Sequence, residues 1–510
     1  MSGSYRGSTI HGCGRTLAVV LGTAVIAAEL VFGLNYPLFR DEFYFLACAN
    51  HPAASYVDHP PLSIWILLGW QQLFGDSQLA VRFLPAVSGG VLVLLTARLA
   101  RELGGGVLAQ RVAALLAALA PAWLGTNGLY SMNTWDLLAW ATASLLVARL
   151  LAGGAPRLWI LLGLVAGLGL LNKWSLLFFL AGLGVALLAT APLRRQLRQK
   201  EPWIGLGVMV LVNVPQLAWQ FAHGWPTLEF IHNATQYKNA ALSPAELILG
   251  QLFEMGPASA PFWLAGLGWL LFARGGTFRA LGLVYMVALV IIATQHGKTY
   301  YLVPAYAPLL AAGGVALEAV PRRWARLAAV ALLVVLGLPI TPFAIPVLPV
   351  ERFVQYSEAL GVKPIAMERS ALGALPQHFA DRFGWTELTQ AVAEAYRALS
   401  PEDQRRVVLV ADNYGEAAAL DYYGRREGLP AAICQHNSYY LWGPGRERVD
   451  LALIVGMPAE GLREAWRECQ PVGQLRAPWA MPYERRNPIL LCRDLLLPLD
   501  EAWRRGRHFI

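Results

Sequence analysis

Apolar runs of the length an α-helix needs to cross a hydrocarbon core, roughly 20 residues for about 30 Å, recur along the first two thirds of the chain. They fall at about 17–35, 79–97, 107–125, 131–150, 158–171, 175–191, 203–221, 247–272, 278–294, 300–317 and 325–347, which predicts a bundle of about eleven transmembrane helices. The run at 17–35 resembles a secretory leader, but the many spans after it make it an uncleaved first helix. Past Val350 the pattern stops and charges and turn residues return. There 407–411, 451–455 and 489–492 read as strands and 416–423 as a helix. The expected organisation is an all-α polytopic membrane module over 1–348, with long external loops at 36–78 and 222–246, and a soluble α/β domain over 349–510. Within the first loop, 62–74 follows two prolines and is rich in leucine and tryptophan, as suits an amphipathic or re-entrant helix at the membrane interface.

Composition agrees with a membrane class: of 510 residues, 56% are hydrophobic and 15% charged. The formal charge of +8 does not point to nucleic acid, because the basic residues form short clusters between apolar runs. Arg98, Arg101 and Arg111, then Arg149 and Arg157, then Arg194, Arg195, Arg198 and Lys200 occupy alternate loops, followed by Arg274, Arg279, Arg322, Arg323 and Arg326. Positive residues collect on the cytoplasmic side, so the N-terminus is expected inside and the C-terminal domain outside. In a bacterium these are the cytoplasmic and periplasmic faces of the inner membrane. Of five cysteines, Cys13 and Cys48 lie near the first helix and Cys434, Cys469 and Cys492 in the tail. An external tail allows one disulfide among the last three, with its pairing open.

Candidate chemistry gathers on the external side of this topology. Asp41 and Glu42 follow the first span as adjacent carboxylates, and one could take a proton from an acceptor hydroxyl. Asp58 and His59 stand before Pro60 and Pro61, which fix the backbone; with His223 they are candidate ligands for a divalent metal or contacts for an acceptor. Asp136, at the start of the fourth span on the same face, is a third candidate catalytic carboxylate beside Asp41 and Glu42. Helix capping is the plainer reading of both Asp58 and Asp136. Lys173, Lys298, Tyr300 and Tyr301 could hold a phosphate headgroup, against the plainer reading of an interfacial aromatic belt. Lys238 and His296 add positive charge to the same face.

The order of these motifs resembles the bacterial branch of glycosyltransferase family 39. They run Arg40-Asp41-Glu42, Tyr56-Val57-Asp58-His59-Pro60-Pro61-Leu62, Asp136, Asn172-Lys173-Trp174-Ser175, His223-Gly224-Trp225-Pro226-Thr227-Leu228-Glu229-Phe230 and Gly297-Lys298-Thr299-Tyr300-Tyr301-Leu302-Val303-Pro304. That family includes the dolichyl-phosphate-mannose protein mannosyltransferases and the lipid A aminoarabinose transferases, all of the GT-C fold. The resemblance implies a membrane glycosyltransferase, a hexosyl- or pentosyltransferase, using a polyprenyl-phosphate sugar donor, an external active site, and inversion at the anomeric carbon. Asp41 matches the family's catalytic acid position, Asp58 the acidic residue before the proline pair, and Lys298 and Tyr301 the lysine and tyrosine near the donor phosphate. His59 stands where some relatives have lysine. The tail also resembles the external domain of a bacterial subset, through Asn413-Tyr414-Gly415-Glu416-Ala417 and the stretch from His436 to Pro444. His436 and Trp442 are weaker candidates for acceptor contact.

The expected partners are the lipid-linked donor, a lipid, glycan or protein acceptor, and the bilayer, with no nucleotide cofactor. A transporter or flippase of a lipid-linked sugar is the alternative. It would place its polar site near the bilayer midplane and show internal repeats, and no repeat is evident.

Overall fold

A computed structural model describes residues 6–240, 242–273, 276–295, 297–365 and 368–510, with backbone only for 6–14. Arg274, His296 and the Cys13 side chain, named above, therefore lie outside the described residues. The chain divides into two compact units. The first comprises Met1–Asn35, Leu79–Ala218 and Ala241–Leu348; the second comprises Tyr36–Gln78, Trp219–Ala240 and Pro349–Ile510.

The first unit is a bundle of apolar helices. Six helices among the described residues are long and apolar enough to cross a membrane: Arg15–Asn35, Gln78–Glu102, Met132–Leu151, Glu201–Ala222, Thr299–Glu318 and Arg323–Phe343. The bent pair Val107–Ala118 and Pro121–Asn127 makes a seventh if it is one span. The regions expected to span at 158–171, 175–191, 247–272 and 278–294 carry the shorter apolar helices Leu158–Leu170, Leu176–Ala189, Pro257–Phe272 and Arg279–Thr294. Leucine and valine side chains such as Leu188, Leu211, Leu332 and Val335 stay exposed, as lipid contact requires. With no hydrophobic drive between helices in lipid, close backbone approach supplies the packing. At Gly163 a Cβ would strike the Gly205 backbone, and at Gly266 that of Leu309, so larger residues would force those helices apart.

The second unit is built on a five-stranded sheet in the order β2-β1-β3-β5-β4. Its strands are β1 (Val408–Ala411), β2 (Ala432–Cys434), β3 (Leu451–Val455), β4 (Trp466–Gln474) and β5 (Pro488–Leu495). The parallel pairs β1–β2 and β1–β3 sit beside the antiparallel pairs β3–β5 and β4–β5. Every residue of β3 is buried, which fits its unbroken apolar run. In contrast β4 is polar, mostly exposed and interrupted by an irregularity at Pro471, as an edge strand tolerates. Cys469 and Cys492, partners in the β4–β5 register, form a disulfide, which settles the pairing left open by the sequence; Cys48 and Cys434 are buried free thiols.

Both interhelical segments fold with this sheet. The segment 36–78 forms the helices Arg40–Asn50 and Leu62–Phe74, the second starting directly after the proline pair. Gln220 ties the two segments together: its amide donates to the Ser55 hydroxyl (3.0 Å), the Tyr56 carbonyl (3.2 Å) and the Thr227 hydroxyl (2.6 Å). Gly224 and Trp225 both take positive φ in the turn that follows, a conformation glycine accepts and tryptophan adopts only under constraint.

Candidate functional site

Arg40, Asp41 and Glu42 open the helix Arg40–Asn50, and their neighbours separate three roles. Glu42 is fully buried and turns back to accept the Phe39 N–H at 2.8 Å, which is a helix-capping arrangement. Asp41 stays partly exposed, with 36% of its side chain accessible, and accepts a hydrogen bond from the Tyr414 hydroxyl at 2.9 Å. Burial pushes the Tyr414 hydroxyl well above its usual range, so it remains a donor to Asp41. The Arg40 guanidinium adds a cation 3.8 Å from Asp41 and lies over the Tyr414 ring at 5.7 Å.

Asp58 is organised in the same manner. It accepts from the Tyr44 hydroxyl at 2.8 Å, and the Tyr44 ring packs 4.6 Å from that of Tyr414. Two carboxylates are therefore held by two tyrosines whose rings touch. Burial raises the Asp58 carboxyl above its usual range, opposed by His59 and by the Tyr44 hydrogen bond. The capping alternative is displaced, since the helix it precedes begins at Leu62 with Pro61 at the cap position.

His59 is buried, stacked on Phe45, with Nδ1 3.0 Å from the Pro60 carbonyl and Nε2 4.0 Å from Asp58. His223 is exposed, stacks on Trp219 and donates from Nδ1 to the Trp219 carbonyl at 2.8 Å. Among the described residues no three histidine, cysteine, aspartate or glutamate side chains gather as a metal-holding group. Asp58, His59 and His223 thus do not fit a divalent ion as a set. His436 is buried against Tyr414 and His508 with Nε2 at 2.8 Å from the Ile510 carbonyl, and Trp442 stacks on His51 at 4.0 Å.

A separate polar group lies in the helical unit. Ser131 caps the helix Met132–Leu151, which leaves Asp136 inside its first turns rather than at the cap. Asp136 is fully buried, accepts from the Ser175 hydroxyl at 2.7 Å and pairs with the Lys173 ammonium at 3.6 Å. Lys173 also donates to Asn133 at 2.7 Å and lies 5.7 Å and 5.6 Å from the ring centres of Tyr300 and Tyr301. Lysine and tyrosines expected together from the sequence are together here. Lys298 is buried at the start of the 3-10 segment Thr299–Tyr306.

Tyr44 and Tyr414 were not singled out from the sequence. Tyr44 sits one turn after Asp41 on the same helix, a spacing that was available as a signal. Tyr414 begins the helix Tyr414–Glu427, whose cap Asn413 accepts from the Gly415 and Glu416 N–H groups, and only the tertiary fold brings it to Asp41. Tyr414→Phe is expected to lower transfer about tenfold, the worth of one charge-assisted hydrogen bond. Transfer at the wild-type rate would show that this hydroxyl does not act on Asp41.

The same helix carries a pH-sensitive carboxyl. Burial, with Asp412 beside it, raises Glu416 to about 7, although the Asp412 and Asn413 N–H groups and Asn487 donate to it. An unfolded glutamate titrates near 4.3, so between about pH 4 and about pH 7 the folded form keeps a proton the unfolded chain has lost. Stability from this group therefore falls across that window by on the order of 3 kcal/mol. Glu416→Gln should flatten the pH dependence of the apparent unfolding temperature there; an unchanged slope would assign it elsewhere.

The likeness to glycosyltransferase family 39 read from the sequence has partial counterparts among known proteins. Residues 58–219 match the family described as dolichyl-phosphate-mannose-protein mannosyltransferase. The undecaprenyl phosphate-alpha-4-amino-4-deoxy-L-arabinose arabinosyl transferase 1 of Sodalis glossinidius (strain morsitans) is 32% identical over 171 residues, 31% of this chain and 29% of that protein. The protein of the same description from Pseudomonas fluorescens is 29% identical over 175 residues, 33% of this chain and 31% of that one. The matched region thus spans less than a third of the length of these relatives. The likeness of fold extends further. The crystal structure of ArnT from Cupriavidus metallidurans bound to undecaprenyl phosphate aligns over 93% of this chain and 97% of its own, with a TM-score of 0.63 at 15% identity. Its apo state aligns over the same shares with a TM-score of 0.61 at 17% identity.

Proposed function

We propose that the protein is an inverting membrane glycosyltransferase that moves a sugar from a polyprenyl-phosphate donor to an acceptor hydroxyl at the periplasmic face of the inner membrane. The observation that carries this reading is Asp41, a partly exposed carboxylate that accepts from the Tyr414 hydroxyl and lies beside Arg40, in a chain whose fold resembles a protein solved with undecaprenyl phosphate. Asp41 removes the proton of the acceptor hydroxyl as its oxygen bonds to the anomeric carbon. The bond from that carbon to the phosphate oxygen breaks on the opposite side, and polyprenyl phosphate leaves. No nucleotide is needed, since the donor carries its own leaving group. Lys173, Lys298, Tyr300 and Tyr301 are proposed to meet the phosphate charge, the larger contribution, with the base adding about 10²- to 10⁴-fold.

Eleven crossings with a cytoplasmic N-terminus and a periplasmic C-terminal region belong to this proposal; they require the four shorter apolar helices to span as well. Topology reporters fused after Ile510 test the orientation, and a cytoplasmic signal would reverse it. The function is tested by offering radiolabelled polyprenyl-phosphate sugars to envelope fractions. Label in an acceptor supports transfer, whereas donor crossing the bilayer without transfer supports the flippase alternative.

A further inference from the structure

Behind Asp41 lies a group of charges that the proposed reaction does not use. The Arg40 side chain is largely buried, its Nη1 donates to the Tyr483 hydroxyl at 2.8 Å, and its Nη2 lies 3.5 Å from Asp381. Glu484 is 4.0 Å from Nη1, and Asp41 is 3.8 Å from Nε. One guanidinium thus faces three carboxylates. Asp381 and Glu484 are 0% and 3% exposed, and among the described residues their carboxylate oxygens lack hydrogen bonds of ordinary geometry, with the Gln377 amide the one uncharged side-chain donor beside Asp381. Charged carboxylates so deprived of water and donors are costly, and one cation cannot offset all three.

We propose that Arg40, Asp381 and Glu484 form a positioning set for Asp41, in which the two buried carboxylates hold one proton between them and so leave the guanidinium to fix the Asp41 carboxylate. This rests on the base role given to Asp41 above. A carboxyl pair sharing one proton is the usual resolution when like charges are buried together. Desolvation raises Asp381 to about 6 against the pull of Arg40, and raises Glu484 well above the usual carboxylate range. The groups facing the pair are Arg40 and Asp41 on one helix, Tyr414 and Glu416 on another, and Glu368, Gln377 and Tyr483 from the intervening segments. Loss of the shared proton at alkaline pH places a second buried anion on Arg40, which then loosens its hold on Asp41.

The test is kcat/KM against pH for wild type, Asp381→Asn and Glu484→Gln, with a radiolabelled polyprenyl-phosphate sugar as donor. Asp381→Asn leaves one ionisable carboxyl of the pair beside Arg40, so no second buried anion can form there at alkaline pH. Glu484→Gln cannot ionise, so the alkaline fall should disappear. If both variants lower the rate evenly at every pH, the residues only support the fold and the proposal is overturned. Wild type that transfers nothing would defeat the transferase reading instead, and infrared difference spectra then decide the shared proton. A carboxylic-acid stretch present in wild type at neutral pH and lost in Glu484→Gln supports it, and its absence from wild type overturns it.

Discussion

Asp41→Asn is expected to reduce sugar transfer by about 10²- to 10⁴-fold while membrane insertion and donor binding stay near wild type. The reasoning is local. Asparagine keeps the size of the side chain and can still accept from the Tyr414 hydroxyl, but it cannot take the proton of an attacking hydroxyl. Asp41 is also partly exposed, so the change does not strip a partner from the core. Folding is thereby separated from chemistry, and purified wild type and variant can be compared at equal amounts with the same labelled donor. Donor binding that persists while transfer is lost marks a base; turnover equal to wild type would remove Asp41 from the mechanism.

The second large effect belongs to Lys173→Met. In the helical unit Asp136 is fully buried with Lys173 as its cationic partner at 3.6 Å and Ser175 as its donor. Removing one member of a buried pair leaves the other charge uncompensated, at a cost of about 3–5 kcal/mol. Lys173→Met alone should therefore yield little folded protein. Adding Asp136→Asn removes the orphaned charge and should restore most of the yield. The double variant then reads the function of Lys173 apart from stability. If the ammonium meets the donor phosphate beside Tyr300 and Tyr301, the refolded variant should bind donor roughly 10- to 100-fold more weakly, the worth of a charge-assisted hydrogen bond. Wild-type donor binding in that variant would make Lys173 a structural counter-ion alone.

These two effects rest on residues that differ in how plainly the sequence marks them. Asp41 stands out because acids directly after an apolar run are costly without a role, and Lys173 because a lysine there breaks the trend of charge between spans. The roles of their neighbours are less visible. Glu42 reads like Asp41 in sequence, but it lies three residues after Phe39 and caps that N–H, while Asp41 is left partly open. Asp136 reads in sequence as either a catalytic carboxylate or a cap, and in the fold it is a buried partner of Lys173.

What the sequence by itself determined is what depends on short spacing. Apolar runs of membrane length marked where the helices of the bundle lie, and buried apolar runs marked β1, β3 and β5, because each pattern repeats within a few residues. Three-residue β2 and polar, edge-lying β4 carry no such signal, since neighbouring strands rather than their own side chains hold them. Only the tertiary structure decided that the segments 36–78 and 219–240 fold with the C-terminal sheet, that Cys469 pairs with Cys492, and that Tyr414 reaches Asp41 across 373 positions. Such pairings depend on side chains converging from distant parts of the chain, and periodicity within one segment holds no record of what the fold will set against it.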